Sequence, residues 1–255
     1  MIPGFDLSNF PHGRQSYPLY TKGQGPGVVV IHELPGLTKE CIALANRLVD
    51  AGYRVYMPLL FGNPGEKAVT RNLLRVCISR EFSVFAMNKS SPVVEWLKAV
   101  CAKALGECGG PGVGAIGMCL TGNFAISLMA DPIVLAPVSC QPSLPFPVTK
   151  KRKAALAMSP EELRAAKHRA TEGQDLMCFR FSCDNTSPEE RFNKLAEEFG
   201  TAFKGTQIDS SKDNPHRIRA KAHSVLTSDF VNKAGHPTRE AMDRVLAFFE
   251  ERLTP

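Results

Sequence analysis

Ala115-Ile116-Gly117-Met118-Cys119-Leu120-Thr121-Gly122 joins an apolar run to a helical pattern. A buried strand that runs into a cysteine flanked by glycines, with a helix directly after it, is typical of a nucleophile elbow. The backbone N–H of Leu120 would then point at a developing oxyanion, and the positive end of the helix dipole would favour a thiolate. The alternative is a structural cysteine, buried where a strand meets a helix, whose glycines only allow close packing.

On both sides of this stretch, short apolar runs alternate with amphipathic segments. The apolar runs predict strands at 27–31, 53–57, 113–118, 133–138, 176–182 and 206–209. Helical spacing and capping residues predict helices over 38–51, 91–104, 123–129, 187–199 and 237–253. Strands that alternate with helices of this length form βαβ units. The sequence therefore predicts an α/β fold with a mostly parallel central sheet and helices on both faces, and an irregular N-terminus.

The segment 141–174 interrupts this alternation. It is rich in proline, then basic over Lys150–Lys153, and then helical from Ser159, which forms a capping-box pattern with Glu162. The segment is too short to bury a core of its own, whereas 255 residues with 44% hydrophobic content can form one large core. We therefore expect a single domain over 1–255, with 141–174 as an insertion between strands.

The composition excludes several classes of protein. No apolar run is long enough to span a membrane, and the first residues lack the pattern of a secretory signal, so a cytoplasmic location is expected. The eight cysteines form no C-x-x-C pair, which argues against a zinc ribbon or a thioredoxin motif and favours reduced thiols.

The formal net charge of +6 comes partly from two short basic runs, at 150–153 and 217–221. Neither run has interleaved aromatic residues or finger spacing, so we expect solvated loops and no nucleic-acid partner. If the basic insertion did bind nucleic acid, the binding would depend steeply on salt concentration.

A nucleophile needs a base, and the base needs an orienting group. In the chain order nucleophile, acid, base, the base belongs in the connection before the closing helix, where His223 lies. Asp184 follows the fifth predicted strand and is the candidate acid, with Asp209 and Asp213 as competitors. Glu33 directly follows the first strand, at the sheet edge where parallel α/β folds bind ligands. The histidines that this order disfavours are His12, His168, His216 and His236.

The combination of Gly117-x-Cys119-x-x-Gly122, Glu33-x-x-Gly36 and His223-Ser224 with the late Asp184 resembles the dienelactone hydrolase family of α/β-hydrolases. The resemblance runs from about Gly27 to Leu253 and is weakest over the insertion. It implies an α/β-hydrolase fold in which Cys119 is the nucleophile, His223 the base and Asp184 its partner. It also implies that the backbone N–H groups of Leu34 and Leu120 bind the oxyanion, and that Glu33 contacts the resting cysteine and takes part in its activation.

The chain departs from the family pattern at two positions. Thr121 stands where the family usually has glycine, and Thr227 stands where an arginine helps to hold the dienelactone carboxylate. We therefore expect a weaker match to dienelactone itself, with Arg80 as the other candidate for contact with an anionic group and Thr227 as a low-priority substrate contact.

The resulting expectation is a cysteine-dependent hydrolase of a small lactone or carboxylic ester that acts through a covalent acyl-thioester. Its partner would be a small-molecule substrate, with no metal or organic cofactor, no nucleic acid and no membrane, in a monomer or small homo-oligomer. An acyl transferase or thioesterase is the alternative enzyme. A non-catalytic binding protein on the same fold is the alternative of another class.

Overall fold

The computed structural model describes residues 1–34, 36–65, 91–144 and 149–254. These residues contain an eight-stranded sheet with the order β1-β2-β4-β3-β5-β6-β7-β8. The strands are β1 (Asp6–His12), β2 (Gln15–Lys22), β3 (Gly27–Ile31), β4 (Arg54–Pro58), β5 (Val113–Met118), β6 (Val134–Cys140), β7 (Leu176–Phe181) and β8 (Phe203–Ile208).

Strands β3 to β8 are parallel, and β2 is the one described strand that runs against them, antiparallel to both of its neighbours, β1 and β4. The carboxyl ends of the parallel strands therefore meet at one edge of the sheet, where β3 and β5 are neighbours. Every residue of β3 and β5 is buried, as their wholly apolar runs predict. The predicted α/β architecture with a mostly parallel sheet is confirmed.

Seven α-helices lie in the described part of the chain. They are α1 (Lys39–Asp50), α2 (Pro92–Cys108), α3 (Gly122–Leu128), α4 (Lys150–Ala154), α5 (Pro160–Thr171), α6 (Glu189–Phe199) and α7 (Pro237–Leu253). The predicted starts of α2 and α5 are confirmed, because their capping residues form the expected hydrogen bonds. Ser91 accepts a hydrogen bond from the N–H of Val93, and Ser159 forms a capping box with Glu162. Helices α4 and α5 fill the segment between β6 and β7.

The helices cover both faces of the sheet. Because side chains alternate along a strand, Val28 and Val30 share one apolar cluster with α1 and α7, while Val29 and Ile31 share another with α2 and α3. A third, smaller cluster lies under α5 and α6. Each fully buried aliphatic or aromatic side chain in these clusters contributes about 1.5–3 kcal/mol to folding.

The prediction of an irregular N-terminus is wrong. Residues 6–22 form an antiparallel hairpin, with His12 at the end of β1, and β2 pairs with β4. The sequence signal is absent because β1 is almost wholly exposed and shows no apolar alternation. Tertiary contacts hold it instead, including a 2.8 Å hydrogen bond from Trp96 Nε1 to the carbonyl oxygen of Phe10.

Arg80 and Cys77 lie outside the described residues. Among the residues that are described, no helix combines the length and apolar character needed to cross a membrane.

The hydroxyl of Thr121 joins the carboxyl ends of β5 and β3. It accepts a hydrogen bond from the N–H of Met118 at 3.0 Å and lies 3.0 and 3.1 Å from the carbonyl oxygens of Ile31 and His32. A Cβ on Gly117 would sit only 2.1 Å from the carbonyl oxygen of Thr121, so this close approach requires glycine. The two residues together fix the turn that follows β5.

Thr121→Val should lower the free energy of unfolding by about 1–3 kcal/mol, because it leaves a buried backbone N–H without its acceptor. Urea unfolding measures this loss. Thr121→Ser keeps the hydroxyl and is the matched control, so a loss in Thr121→Val no larger than in Thr121→Ser would contradict the assigned role.

Candidate active site

Cys119 occupies the turn between β5 and α3 with a left-handed backbone, at φ 60°. A positive φ is uncommon outside glycine and is often found where a side chain must be presented at a functional site. The residue is half-buried, and its carbonyl oxygen accepts a 3.0 Å hydrogen bond from the N–H of Ser143. The strand, turn and helix of the predicted nucleophile elbow are therefore present.

The backbone around Cys119 is held from the following helix as well. Asn123 Nδ2 donates to the carbonyl oxygens of Leu120 and Ser143, at 2.9 and 2.8 Å. Leu120 lies in the 3₁₀ turn Cys119–Thr121, at a helix start where backbone N–H groups have no acceptor inside the helix. Leu34 lies beyond the neighbouring end of β3 and is half-buried against the cluster under α2.

His223 and Asp184 form a close pair. The Nδ1–H of His223 donates to Asp184 Oδ2 at 2.6 Å, and the carboxylate is buried. Its other oxygen, Oδ1, accepts from the N–H and hydroxyl of Thr186, at 2.9 and 2.7 Å, and from the N–H of Ser187 at 3.3 Å. Asp184 is therefore fixed by the turn before α6, and it orients the ring of His223.

The environment of His223 favours its protonated form. Burial opposes the charge, but hydrogen bonds to Asp184 and to Cys119 outweigh burial and raise the pKa of His223 to about 11. Burial also opposes ionisation of Asp184, yet the hydrogen bond to His223 leaves the pKa of that carboxyl below its ordinary value. The thiol, the imidazole and the carboxylate thus interact in series.

Asp229 anchors the loop that carries His223, and the sequence analysis missed it. Its Oδ2 accepts hydrogen bonds from the N–H groups of His223 and Ser224, at 2.8 and 3.1 Å, and its Oδ1 pairs with Arg219 at 2.5 Å. The available signal was an aspartate a few residues after a candidate base, within a run rich in Ser and Thr, which is a turn pattern. This pattern indicates a turn, but it does not show which backbone N–H groups the aspartate binds.

Glu33 is buried and bonded to the same loop. Its Oε2 accepts a hydrogen bond from the hydroxyl of Ser224 at 2.7 Å, and its Oε1 accepts one from the hydroxyl of Thr227 at 2.5 Å. Among the described residues no hydrogen bond joins Glu33 to Cys119. The charge of Glu33 does act on nearby thiols, because it adds to the effect of burial in raising the pKa of Cys41.

His32, next to Glu33, is a structural residue. Burial lowers the pKa of His32 to about 4, so the ring is neutral. Its Nδ1–H donates to the carbonyl oxygen of Glu33 at 2.9 Å, and its Nε2 accepts from the N–H of Leu60 at 3.1 Å. The ring therefore fixes the backbone that follows β3 against the loop that follows β4.

The structure brings four of the predicted residues to one edge of the sheet: Cys119, His223, Asp184 and Glu33. Of the three candidate acids, Asp184 is the one bonded to His223, whereas Asp209 accepts a hydrogen bond from the N–H of Ser211 in its own turn. No cluster of three or more His, Cys, Asp or Glu side chains in the described ranges could hold a metal ion.

The sequence of this chain matches the model of the dienelactone hydrolase family over residues 16–253. The chain belongs to the dienelactone hydrolase family. It is accordingly a hydrolase of esters or lactones. No curated protein matches it at the level of sequence.

Solved structures share its fold. A dienelactone hydrolase from Anabaena variabilis has a TM-score of 0.62 at 14% identity, covering 98% of each chain. A dienelactone hydrolase-like promiscuous phosphotriesterase from metagenomic libraries has a TM-score of 0.59 at 17% identity, covering 96% of this chain and 97% of its own. The thioesterase domain from the curacin biosynthetic pathway has a TM-score of 0.57 at 10% identity, covering 95% and 99%. These neighbours confirm the α/β-hydrolase fold of this family member.

The raised pKa of His223 links stability to pH. The folded protein keeps a proton on this ring at pH values where the unfolded chain, with a pKa near 6.5, has lost it. The stabilising contribution is therefore complete below about pH 6.5 and is lost as the pH rises towards 11.

We expect the free energy of unfolding to fall over the range from about pH 6.5 to about pH 10 more steeply in the native protein than in His223→Asn. Asparagine does not titrate, yet its amide can still donate to Asp184. Urea unfolding at several pH values measures the two slopes, and equal slopes would contradict the assignment.

Proposed function

We propose that this chain cleaves a small, uncharged ester or lactone through a covalent acyl-thioester on Cys119. The observation that supports this proposal is the arrangement of three residues. Cys119 lies on a left-handed turn at the end of β5 and interacts with His223, which is hydrogen-bonded to Asp184. Family membership supplies the reaction class, and this arrangement supplies the candidate machinery.

In the first step, the sulfur of Cys119 attacks the carbonyl carbon of the ester. His223 already holds the proton that the thiol has given up, and its raised pKa means that the ring retains this proton during the attack. Asp184 stabilises the resulting imidazolium through the 2.6 Å hydrogen bond to Nδ1. The tetrahedral intermediate then expels the alkoxide, which receives the proton from His223, and the acyl group stays on the sulfur.

The carbonyl oxygen becomes an oxyanion during this attack. The backbone N–H groups of Leu34 and Leu120 are the proposed donors, since they stand at the neighbouring ends of β3 and β5. Donors of this kind each contribute ~3–4 kcal/mol to stabilising the transition state. In the second step His223 takes a proton from water, the hydroxide attacks the thioester, and the carboxylic acid leaves as the thiol is restored.

Glu33 is proposed to control the reactivity of the thiol. A carboxylate beside a sulfur opposes formation of the thiolate, because two nearby negative charges repel each other. The hydroxyls of Ser224 and Thr227 bind both oxygens of Glu33, so the loop that carries His223 also determines where this charge is held. A shift of that loop on substrate binding would change both groups together.

The uncharged substrate is proposed from the position of Thr227. Its hydroxyl is buried and engaged by Glu33, and it carries no positive charge for a substrate carboxylate. Arg80 remains the candidate residue for contact with an anionic group.

Four further predictions concern the whole protein. They are a single-domain organisation, a cytoplasmic location, a monomer or small homo-oligomer, and the absence of a nucleic-acid partner.

Cys119→Ala should reduce ester hydrolysis at least about a thousandfold while leaving the free energy of unfolding within about 1 kcal/mol of the native value. A panel of neutral esters and lactones measures the activity, and mass spectrometry after alkylation locates the reactive thiol. Cys183→Ala removes an exposed thiol and is the matched control.

Near-normal turnover in Cys119→Ala would end the proposal. If turnover depends on Cys119 but an added alcohol or amine receives most of the acyl group in place of water, the chain acts as an acyl transferase.

Glu33→Gln should slow ester turnover, alter its pH profile and change the rate at which Cys119 is alkylated in the free enzyme. The amide keeps the shape, and its oxygen still accepts from one of the two hydroxyls of Ser224 and Thr227, while its NH2 donates to the other hydroxyl oxygen. The variant therefore removes the charge and reverses one hydrogen bond. Thr227→Val is the companion variant, because it removes one donor to Glu33 without changing any charge. If turnover, pH profile and alkylation rate all stay unchanged in Glu33→Gln, Glu33 has no part in the mechanism.

A further inference from the structure

Arg191, in α6, is a fully buried arginine whose hydrogen-bond partners in the described part of the chain are all backbone carbonyl oxygens. Its guanidinium donates to three backbone carbonyl oxygens, those of Ala155 at 2.7 Å, Pro142 at 2.9 Å and Arg152 at 3.1 Å. No salt bridge involves Arg191 among the described residues. A buried charge normally has an ionic partner, because carbonyl dipoles compensate only part of the lost hydration.

The other fully buried arginine shows the contrast. Arg180 lies on β7, and the charges of Asp184, Glu189 and Glu190 all stabilise its guanidinium. For Arg191, burial lowers the pKa to about 10, and the opposing charge comes from Cys119. Among the described residues, Cys119 is the group whose charge favours the charged guanidinium of Arg191.

Backbone contacts connect the same two residues. Arg191 binds the carbonyl oxygen of Pro142, and the next residue, Ser143, donates its N–H to the carbonyl oxygen of Cys119. Pro142 also packs on the elbow, since its Cα lies 3.1 Å from where a Cβ on Gly122 would be. Arg191 thus holds Pro142 and Ser143, which follow directly after β6, against the turn that presents the sulfur.

Few other charges surround Cys119 in the described part of the chain. His223 approaches from the loop after β8, Glu33 lies at the end of β3, and Arg191, on α6, is bound to the carbonyl of Pro142 and interacts electrostatically with Cys119. Strand β5 and helix α3, which flank the cysteine, carry no charged side chain. Removing the charge of Arg191 therefore removes one of the two described cations, with His223, that oppose the charge of Glu33.

We propose that Arg191 is a positioning residue that clamps Pro142 and Ser143 onto the nucleophile elbow and stabilises the anionic form of Cys119. This inference rests on the proposed function only in treating Cys119 as the reacting group. The clamp depends on the fork of the guanidinium, which reaches three carbonyls at once. The stabilisation depends on its charge, so the two contributions can be separated by substitution.

The test compares Arg191→Gln, which is neutral, with Arg191→Lys, which keeps the charge but loses the fork. The rate of alkylation of Cys119 by iodoacetamide is followed against pH, with mass spectrometry of the peptide. In Arg191→Gln we expect the midpoint of this profile to rise by about one pH unit, so that alkylation below the midpoint slows about tenfold. In Arg191→Lys we expect a shift of less than about 0.3 units, with slower ester turnover.

Lys153→Gln is the matched control. It removes one positive charge from α4, where Lys153 pairs with Glu190 at 3.2 Å on the surface, and should leave the midpoint unchanged. An unchanged midpoint in folded Arg191→Gln overturns the proposal, even if turnover falls. A raised midpoint together with full turnover in Cys119→Ala would instead support the role of Arg191 and reject the proposed function.

If Arg191→Gln does not fold, the His223→Asn variant provides the test, because Arg191 is then the remaining cation that acts on Cys119 among the described residues. The rate ratio of anionic iodoacetate to neutral iodoacetamide is measured at Cys119 and at the exposed Cys183. We expect the ratio at Cys119 to exceed that at Cys183 by about threefold, since the cation attracts the anionic reagent. An equal or lower ratio at Cys119 overturns the proposal.

Discussion

The left-handed backbone of Cys119 is the constraint on which the rest of the sheet edge depends. Such a conformation costs a non-glycine residue about 1–3 kcal/mol and persists only where the surroundings over-determine it. Here the surroundings are specific: Gly117 allows the close approach of Thr121, and the hydroxyl of Thr121 joins the ends of β3 and β5. The N–H of Ser143 then fixes the carbonyl oxygen of Cys119 itself.

Buried charges at this edge are satisfied in three different ways. Asp184 receives backbone and hydroxyl donors from its own turn as well as the His223 ring. Glu33 is bound by two hydroxyls from a loop distant in sequence. Arg191 donates to carbonyl oxygens alone. Because a buried charge without partners is costly, each arrangement fixes the geometry of the loop that supplies the partners.

The loop after β8 couples the elements of the site. It carries His223, it supplies Ser224 and Thr227 to Glu33, and Asp229 closes it through two backbone N–H groups. The hydroxyl of Thr227 makes this coupling without a positive charge. A substitution at this position therefore changes the restraint on Glu33.

The sequence predicted most of the parallel sheet and its helices, because buried strands are apolar throughout and because Ser91, Ser159 and Glu162 are local capping signals. It did not predict the N-terminal hairpin, since an exposed edge strand such as β1 needs no apolar alternation.

The sequence by itself determined the candidate nucleophile, base and acid, because their order along the chain and the glycines of the elbow are local patterns. Only the tertiary structure decided what binds Glu33, what closes the His223 loop and which charge faces Cys119. The residues in those contacts come from different strands and helices. Their hydrogen bonds depend on positions in space that no local pattern encodes.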